Sequence, residues 1–174
     1  MGVDVEPAKP SAHAPLDTFE AFFRAEFVTV ARTTGLVVRD PGVGEELAQE
    51  AFSRLYQRWA GITSEAHARN FVYKVAINLA RSHLRKHRRV QVGSIPTVTV
   101  ADPAMASTDL IAIARALATL PPRQRACVVL IDYTGHDARS AARILRTTES
   151  TVRVHLFRAR RALREALRES EELK

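Results

Sequence analysis

The chain's most chemically distinctive side chains are cations set at helical spacing near its C-terminus. Ser150, Val154, Phe157 and Arg161 fall four, three and four residues apart, so they share one face of a helix, with Arg153 and Arg158 on its flanks. A guanidinium donates two parallel hydrogen bonds to the edge of a guanine, and a valine methyl or a phenylalanine ring packs on the methyl of a thymine. Val152, Leu156, Ala159 and Leu163 occupy the opposite, apolar side of the same helix. Just upstream, Asp137–Leu145 carries an apolar stripe of Ala141, Ala142 and Leu145. A three-residue turn, Arg146–Thr147–Thr148, follows it. Thr148 is a good N-cap, and Glu149 places a carboxylate in the first turn, at the positive end of the helix dipole. Two short helices joined by a tight turn, the second with a basic outer face, make a helix-turn-helix that can enter the major groove. The competing reading is an ordinary amphipathic hairpin with solvated arginines. Nine arginines against two glutamates between Arg139 and Arg168 weigh against it, as does a phenylalanine set among them on the outer face.

A second cationic face lies near the middle of the chain. Between Ala66 and Ala101 there is no acidic residue, while Arg69, Lys74, Arg81, Arg85, Lys86, Arg88 and Arg89 are all basic. Helical spacing puts Phe71, Val72, Val75 and Leu79 on one side and Asn78, Arg81, Ser82, Arg85, Lys86 and Arg89 on another. Cations for phosphates, interleaved with rings such as Phe71 and Tyr73 for unstacked bases, are what single-stranded nucleic acid demands. Two basic blocks in a chain of net charge +7 imply two contacts with one polyanion.

Other chemistries find little support. His83 and His87 have the spacing of paired metal ligands, but Arg85, Lys86, Arg88 and Arg89 surround them and no third ligand is near, so no metal is expected. No carboxylate pair, nucleophile triad or glycine-rich phosphate loop occurs at a useful spacing, so neither catalysis nor a cofactor is expected. Cys127 is the single cysteine and sits in the run Cys127–Ile131, which reads as buried core. No apolar run reaches the roughly 18 residues a membrane span needs, and no secretory signal opens the chain, so a cytoplasmic protein is expected.

The elements that must hold these faces are all helical. Residues 1–15, with Pro7, Pro10 and Pro15, read as a flexible tail. Asp17–Glu20 opens a helix carrying Phe19, Phe22, Phe23, Phe27 and Val30, with Gly35 as its stop. Asp40–Pro41–Gly42 reads as a loop before a helix from Val43 to Trp59. Leu47, Ala51, Leu55 and Trp59 fall on one side of that helix, and Glu45, Glu46, Gln49, Glu50, Arg54 and Arg58 make a face suited to a protein partner. Ser64 caps a third helix running to Arg89. Val90–Ser107, with Gly93, Pro96 and Pro103 and no periodicity, reads as an extended linker. Beyond it, Leu110, Ile113, Ala114 and Leu117 mark a helix that Pro121–Pro122 breaks, and Arg123–Tyr133 forms the next. The expected fold is therefore all-α: two small helical domains joined by a linker, the second ending in the helix-turn-helix.

Four segments in this order resemble the extracytoplasmic-function group of bacterial RNA polymerase sigma factors. They are Glu46–Phe52, Phe71–Ala80, Leu120–Arg125, and Thr151–Arg153 running on through Phe157–Arg160; the resemblance covers about residues 16–168. It implies a core-polymerase-binding and −10-element domain at 16–89, a linker at 90–108 and a −35-element domain at 109–174. Glu46, Leu47, Gln49, Glu50 and Arg54 would dock on the clamp helices of the polymerase core. Phe71, Tyr73, Lys74, Asn78, Arg81, Ser82, Arg85, Lys86 and Arg89 would open the promoter at −10, with Asn78 beside the pocket for a flipped base. Ser150, Thr151, Arg153, Val154, Phe157, Arg158 and Arg161 would read the −35 element. Promoter DNA and core polymerase are the implied partners, together with a separate anti-sigma protein. The chain departs from the family at three places: Phe71 replaces a tryptophan, Arg146 a glycine of the turn, and Ser140–Ala141–Ala142 a Glu–Ile–Ala. A stand-alone helix-turn-helix regulator is the alternative, and it needs a dimer on half-sites about one helical turn apart.

Overall fold

The computed structural model describes residues 14–88 and 108–172. The expected linker, Arg89 and most of the expected N-terminal tail lie outside these. All described regular structure is helical, in two groups. The first comprises α1 (Ala14–Val38), α2 (Pro41–Tyr56) and α3 (Glu65–Arg88). Its interior is built from Phe22, Val30, Val37, Phe52, Leu55, Val72 and Ile77, all buried. The phenylalanines of α1 gather around Phe52: the Phe23 ring stacks on Phe27 at 4.8 Å and meets Phe52 edge-on at 5.0 Å. Aromatic pairs in these geometries add to the stabilisation from burial alone.

The first group departs from the sequence reading at three points. Gly35 does not end α1, which continues to Val38 and stops where Arg39 takes a left-handed φ of 68°. Gly35 is instead the place where α2 crosses α1. A Cβ on Gly44 would lie 2.4 Å from the Gly35 Cα and 2.8 Å from the Ala31 carbonyl oxygen, so only glycine fits there. Asp40–Pro41–Gly42 is not a free loop either. The Asp40 carboxylate accepts the Val43 N–H at 3.0 Å and Pro41 opens α2, a position where its missing N–H costs nothing. Finally, α2 ends at Tyr56. Trp59 begins a 3-10 turn (Trp59–Gly61) and folds back on Phe19 and Phe22, with its Nε1 donating to the Thr18 hydroxyl at 3.2 Å. Burying the indole on α1 won over continuing a helix toward solvent.

The second group comprises α4 (Thr108–Thr119), α5 (Pro122–Val128), α6 (Ala138–Leu145) and α7 (Glu149–Glu172). The run expected as one helix from Arg123 to Tyr133 starts as α5 and widens into a π turn over Val129–Tyr133, closed by the Thr134 N–H on the Val129 carbonyl at 3.1 Å. Cys127, Val129 and Leu130 lie in the core, as read from the sequence, and burial pushes the Cys127 thiol pKa up to about 11. Asp137 caps α6 by accepting the Ser140 N–H at 2.6 Å, and the Thr148 hydroxyl accepts the Thr151 N–H at 3.2 Å at the start of α7. Ala141, Ala142 and Leu145 of α6 are buried with Val152 and Ala159 of α7, so the anticipated apolar faces meet.

The two groups pack directly on each other, α1 and α3 against α5, the π turn and α6. Two arginines cross this seam in opposite directions. Arg125 of α5, 2% exposed, donates from Nε to the Val37 carbonyl in the last turn of α1 at 2.9 Å, and from Nη1 to Ala118 and Leu120 at the end of α4. Arg81 of α3 donates to the Leu145 carbonyl at the end of α6 at 3.0 Å. Helix C-termini carry unpaired carbonyls and partial negative charge, which is why cations seat there without a carboxylate.

The helix crossing sets a sharp test. Replacing Gly44 with alanine forces backbone from backbone and should lower unfolding free energy by about 2–3 kcal/mol in a urea titration. Gly61, with nothing within 4 Å of its would-be Cβ, should tolerate alanine within about 0.5 kcal/mol.

Candidate nucleic-acid interface

The outer face of α7 is presented as its spacing requires. Phe157 is 66% exposed and Val154 48%, with Ser150, Arg153, Arg158 and Arg161 exposed around them and Thr151 half-buried. An uncovered phenylalanine among guanidiniums is an apolar contact held ready beside hydrogen-bond donors. Arg153 leans toward Glu149 at 3.7 Å and Arg161 toward Glu165 at 3.0 Å. Such exposed pairs along a helix are worth only about 0.3–0.5 kcal/mol, so a phosphate exchanges with them at little cost. Arg160 is committed differently: it forks onto Asp132, with Nε to Oδ2 at 3.0 Å, and ties α7 to the π turn.

The second cationic face is divided. Lys74, Arg85 and Lys86 are exposed on α3, with Asn78 and Ser82 half-buried beside them and Arg85 donating to the Ser82 hydroxyl at 2.9 Å. Phe71 is half-buried, and the Arg58 guanidinium lies 6.0 Å from its ring centroid. Arg69, at the start of the acid-free stretch, is neutralised by Glu26 at 2.7 Å and Glu65 at 2.9 Å; the hydrogen bond it donates to Glu26 is the main cause of its raised pKa. Tyr73 and Arg81 turn toward the seam. Tyr73 is 1% exposed and packed edge-on against His136 at 4.6 Å, and burial raises its phenol pKa. Arg89 lies outside the described residues.

On α2, Glu46, Gln49, Glu50 and Arg54 are exposed and Leu47 is half-buried, forming one mixed-charge face on which Arg54 pairs with Glu50 at 2.7 Å. The exposed members of the three sets named from the sequence thus lie on three separate helices, α2, α3 and α7. His83 and His87 stack at 4.2 Å, and no group of three metal-ligating side chains occurs among the described residues. No described helix is long and apolar enough to cross a membrane.

Sequence reasoning missed the seam. Arg125 sits within the Leu120–Arg125 motif, but its burial was not legible because its acceptor on α1 lies 88 positions away. His136 looked like one of several scattered histidines, yet it is wedged between the π turn and Tyr73. The Thr134 hydroxyl donates to the Leu130 carbonyl and pairs with His136 Nδ1 at 2.6 Å; Nε2 is buried with no partner.

Comparison with known proteins gives a consistent picture. Residues 23–90 match the family described as sigma-70 region 2, and residues 110–163 match sigma-70, region 4. An RNA polymerase sigma-E factor of Streptomyces avermitilis is 31% identical over 158 residues, covering 90% of this chain and 88% of the relative. The ECF RNA polymerase sigma factor SigM of Mycobacterium tuberculosis is 28% identical, covering 88% and 80%. Among solved structures, the sigma factor RpoE of Bartonella quintana, in complex with the anti-sigma factor NepR, superimposes with a TM-score of 0.77 over 87% of this chain and 98% of its own, at 22% identity. CnrH in complex with the cytosolic domain of CnrY gives 0.65 over 88% and 90%, at 17% identity.

Two partly buried histidines, His136 at the seam and His83 on α3, carry a pH dependence. Burial, and then the charge of Arg69, lowers the His136 pKa, and burial lowers that of His83. A depressed histidine pKa means that the unfolded chain takes up protons first as pH falls. Stability is therefore full above about 6.5 and declines as pH drops through the lowered folded values. Urea midpoints should fall between pH 7.5 and 5.5, and His136→Gln should flatten part of that slope, leaving the share of His83.

Proposed function

The chain belongs to the extracytoplasmic-function group of bacterial RNA polymerase sigma factors, and from that premise we propose how its surfaces divide the work of initiation. Residues 16–89 form the unit that binds polymerase core and engages the −10 element, residues 90–108 the linker, and residues 109–174 the unit that reads the −35 element. The exposed α2 face of Glu46, Leu47, Gln49, Glu50 and Arg54 docks on the clamp helices of the core. The α7 face enters the major groove, with Arg153 and Arg158 donating to base edges and phosphates, Val154 and Phe157 packing on thymine methyls, and Ser150, Thr151 and Arg161 fixing register on the backbone. The single observation that carries this assignment is the exposed Phe157 and Val154 within a ring of arginines.

At −10, Phe71, Lys74, Asn78, Ser82, Arg85, Lys86 and Arg89 line the path of the melted strand. Tyr73, buried, and Arg81, half-buried, are occupied at the seam, so the two helical groups must part before the full set meets DNA. Docking on core supplies the energy and sets the spacing between the two recognition units. A weak contact at each element, joined through one chain, then becomes a strong one only at the correct spacing. Free protein binds promoters poorly. The chain contributes no catalysis of its own and acts in the cytoplasm, and a separate anti-sigma protein, of the kind bound to the structural neighbours, holds it inactive by covering the α2 and α7 faces.

Run-off transcription with core polymerase on fragmented DNA from the source organism tests this. New discrete start sites should appear only when the protein is added; protection of palindromic DNA without core, and no initiation with it, would establish the stand-alone regulator instead. On a promoter so found, Arg153→Ala and Phe157→Ala should each lower initiation about 5- to 100-fold, equivalent to about 1–3 kcal/mol of lost base contact, with unchanged thermal stability. Equal loss on promoters with and without the −35 element would remove α7 from base reading.

A further inference from the structure

Between the two helical groups lies a cleft of about 560 Å³, the size of a small-molecule site. Arg81 and Arg85 of α3 border it on one side, Arg123 of α5 and Arg146 of the turn after α6 on the other. Among the described residues, no carboxylate lines it. These guanidiniums feel one another: the charges of Arg123, Arg85 and Arg146 all act on Arg81. Four like charges facing one cleft are mutually repulsive, and an anion seated among them removes that repulsion.

Two features single the cleft out from a generally basic surface. Arg146 holds a left-handed backbone, φ 53° and ψ 56°, at the C-cap of α6, where a residue with a Cβ is strained and glycine is not. A strained backbone at a cleft-lining arginine points to a role for its side chain. His155 of α7 also lines the cleft, and its Nδ1 is buried without a hydrogen-bond partner. Five polar side chains thus converge over a partly apolar floor that includes Val37, Leu84 and Pro121.

We propose that this cleft binds a compact oligophosphate anion, a chain of linked phosphates alone or attached to a nucleoside. Arg123 and Arg146 supply forked donors from one helical group and Arg85 from the other, while Arg81 keeps its bond to Leu145 and presents its remaining donors. Because the ligand is held from both groups, it favours the packed arrangement over the parted one, in which the cleft does not exist. The site depends on the packed seam and not on the assignment of promoter contacts.

The test is calorimetric titration of the full chain with inorganic tripolyphosphate and, separately, with GTP at low ionic strength, on wild type, Arg123→Gln and Arg146→Gly. Saturable one-to-one binding is expected, weakened about tenfold or more in each variant. Arg146→Gly relieves backbone strain, so it should fold with at least wild-type thermal stability; loss of binding there reports the guanidinium and not unfolding. Tighter binding of GTP than of tripolyphosphate marks a nucleotide as the natural occupant, and equal or weaker binding a free oligophosphate. Non-saturating heats, or the same affinity in wild type and both variants, overturn the proposal, because the anion would then be spread over the basic faces of α3 and α7.

Discussion

The packing of the two helical groups turns on two arginines that each close a helix end across one seam. Arg125 reaches from the second group to the C-terminus of α1, and Arg81 from the first to the C-terminus of α6. Burying a guanidinium is costly unless its donors are satisfied. At Arg125 the cost is met by carbonyls from two helix ends, α1 and α4, converging on one cation. Burial, with Arg39 nearby, lowers its pKa only to about 10, so it stays charged at neutral pH and the contact persists. Removing the side chain would strand carbonyls on both sides of the seam, which makes Arg125 structural although its residue type suggests a DNA contact.

The same seam explains why the basic face of α3 is only partly open whereas that of α7 is not. α7 presents its donors and its phenylalanine outward without obstruction. On α3, Lys74, Arg85 and Lys86 are exposed, whereas Tyr73 packs on His136 and Arg81 is engaged with α6. Under the proposed assignment, Arg81 has two uses, a helix cap in the packed form and a nucleic-acid contact in the parted form. In that proposed role, competition for Arg81 would link domain packing to promoter opening.

Glycine has its strongest influence where two backbones touch. The α1–α2 crossing at Gly35 and Gly44 brings the helices so close that α2 and its outward face are fixed in angle relative to α1. That angle orients Glu46, Gln49, Glu50 and Arg54 together on one exposed side. The proposed polymerase-docking face is thus positioned by residues that never reach the surface.

The sequence alone determined the all-helical class, the helix-turn-helix, the apolar partners Val152 and Ala159, and the outward set from Ser150 to Arg161. Each rests on local periodicity and capping, interactions that span a few residues and are written in consecutive positions. It misjudged Gly35, the Asp40–Gly42 segment and Trp59, where a distant helix rather than a local signal settled the outcome. Only the tertiary structure decided that Tyr73 and Arg81 lie at a seam, that Arg125 is buried, and that Arg123 and Arg146 face Arg81 and Arg85 across a cleft. Those facts depend on residues tens of positions apart being brought together, and the sequence spacing of a cation carries no record of whether its partner is water, a phosphate or the carbonyl end of another helix.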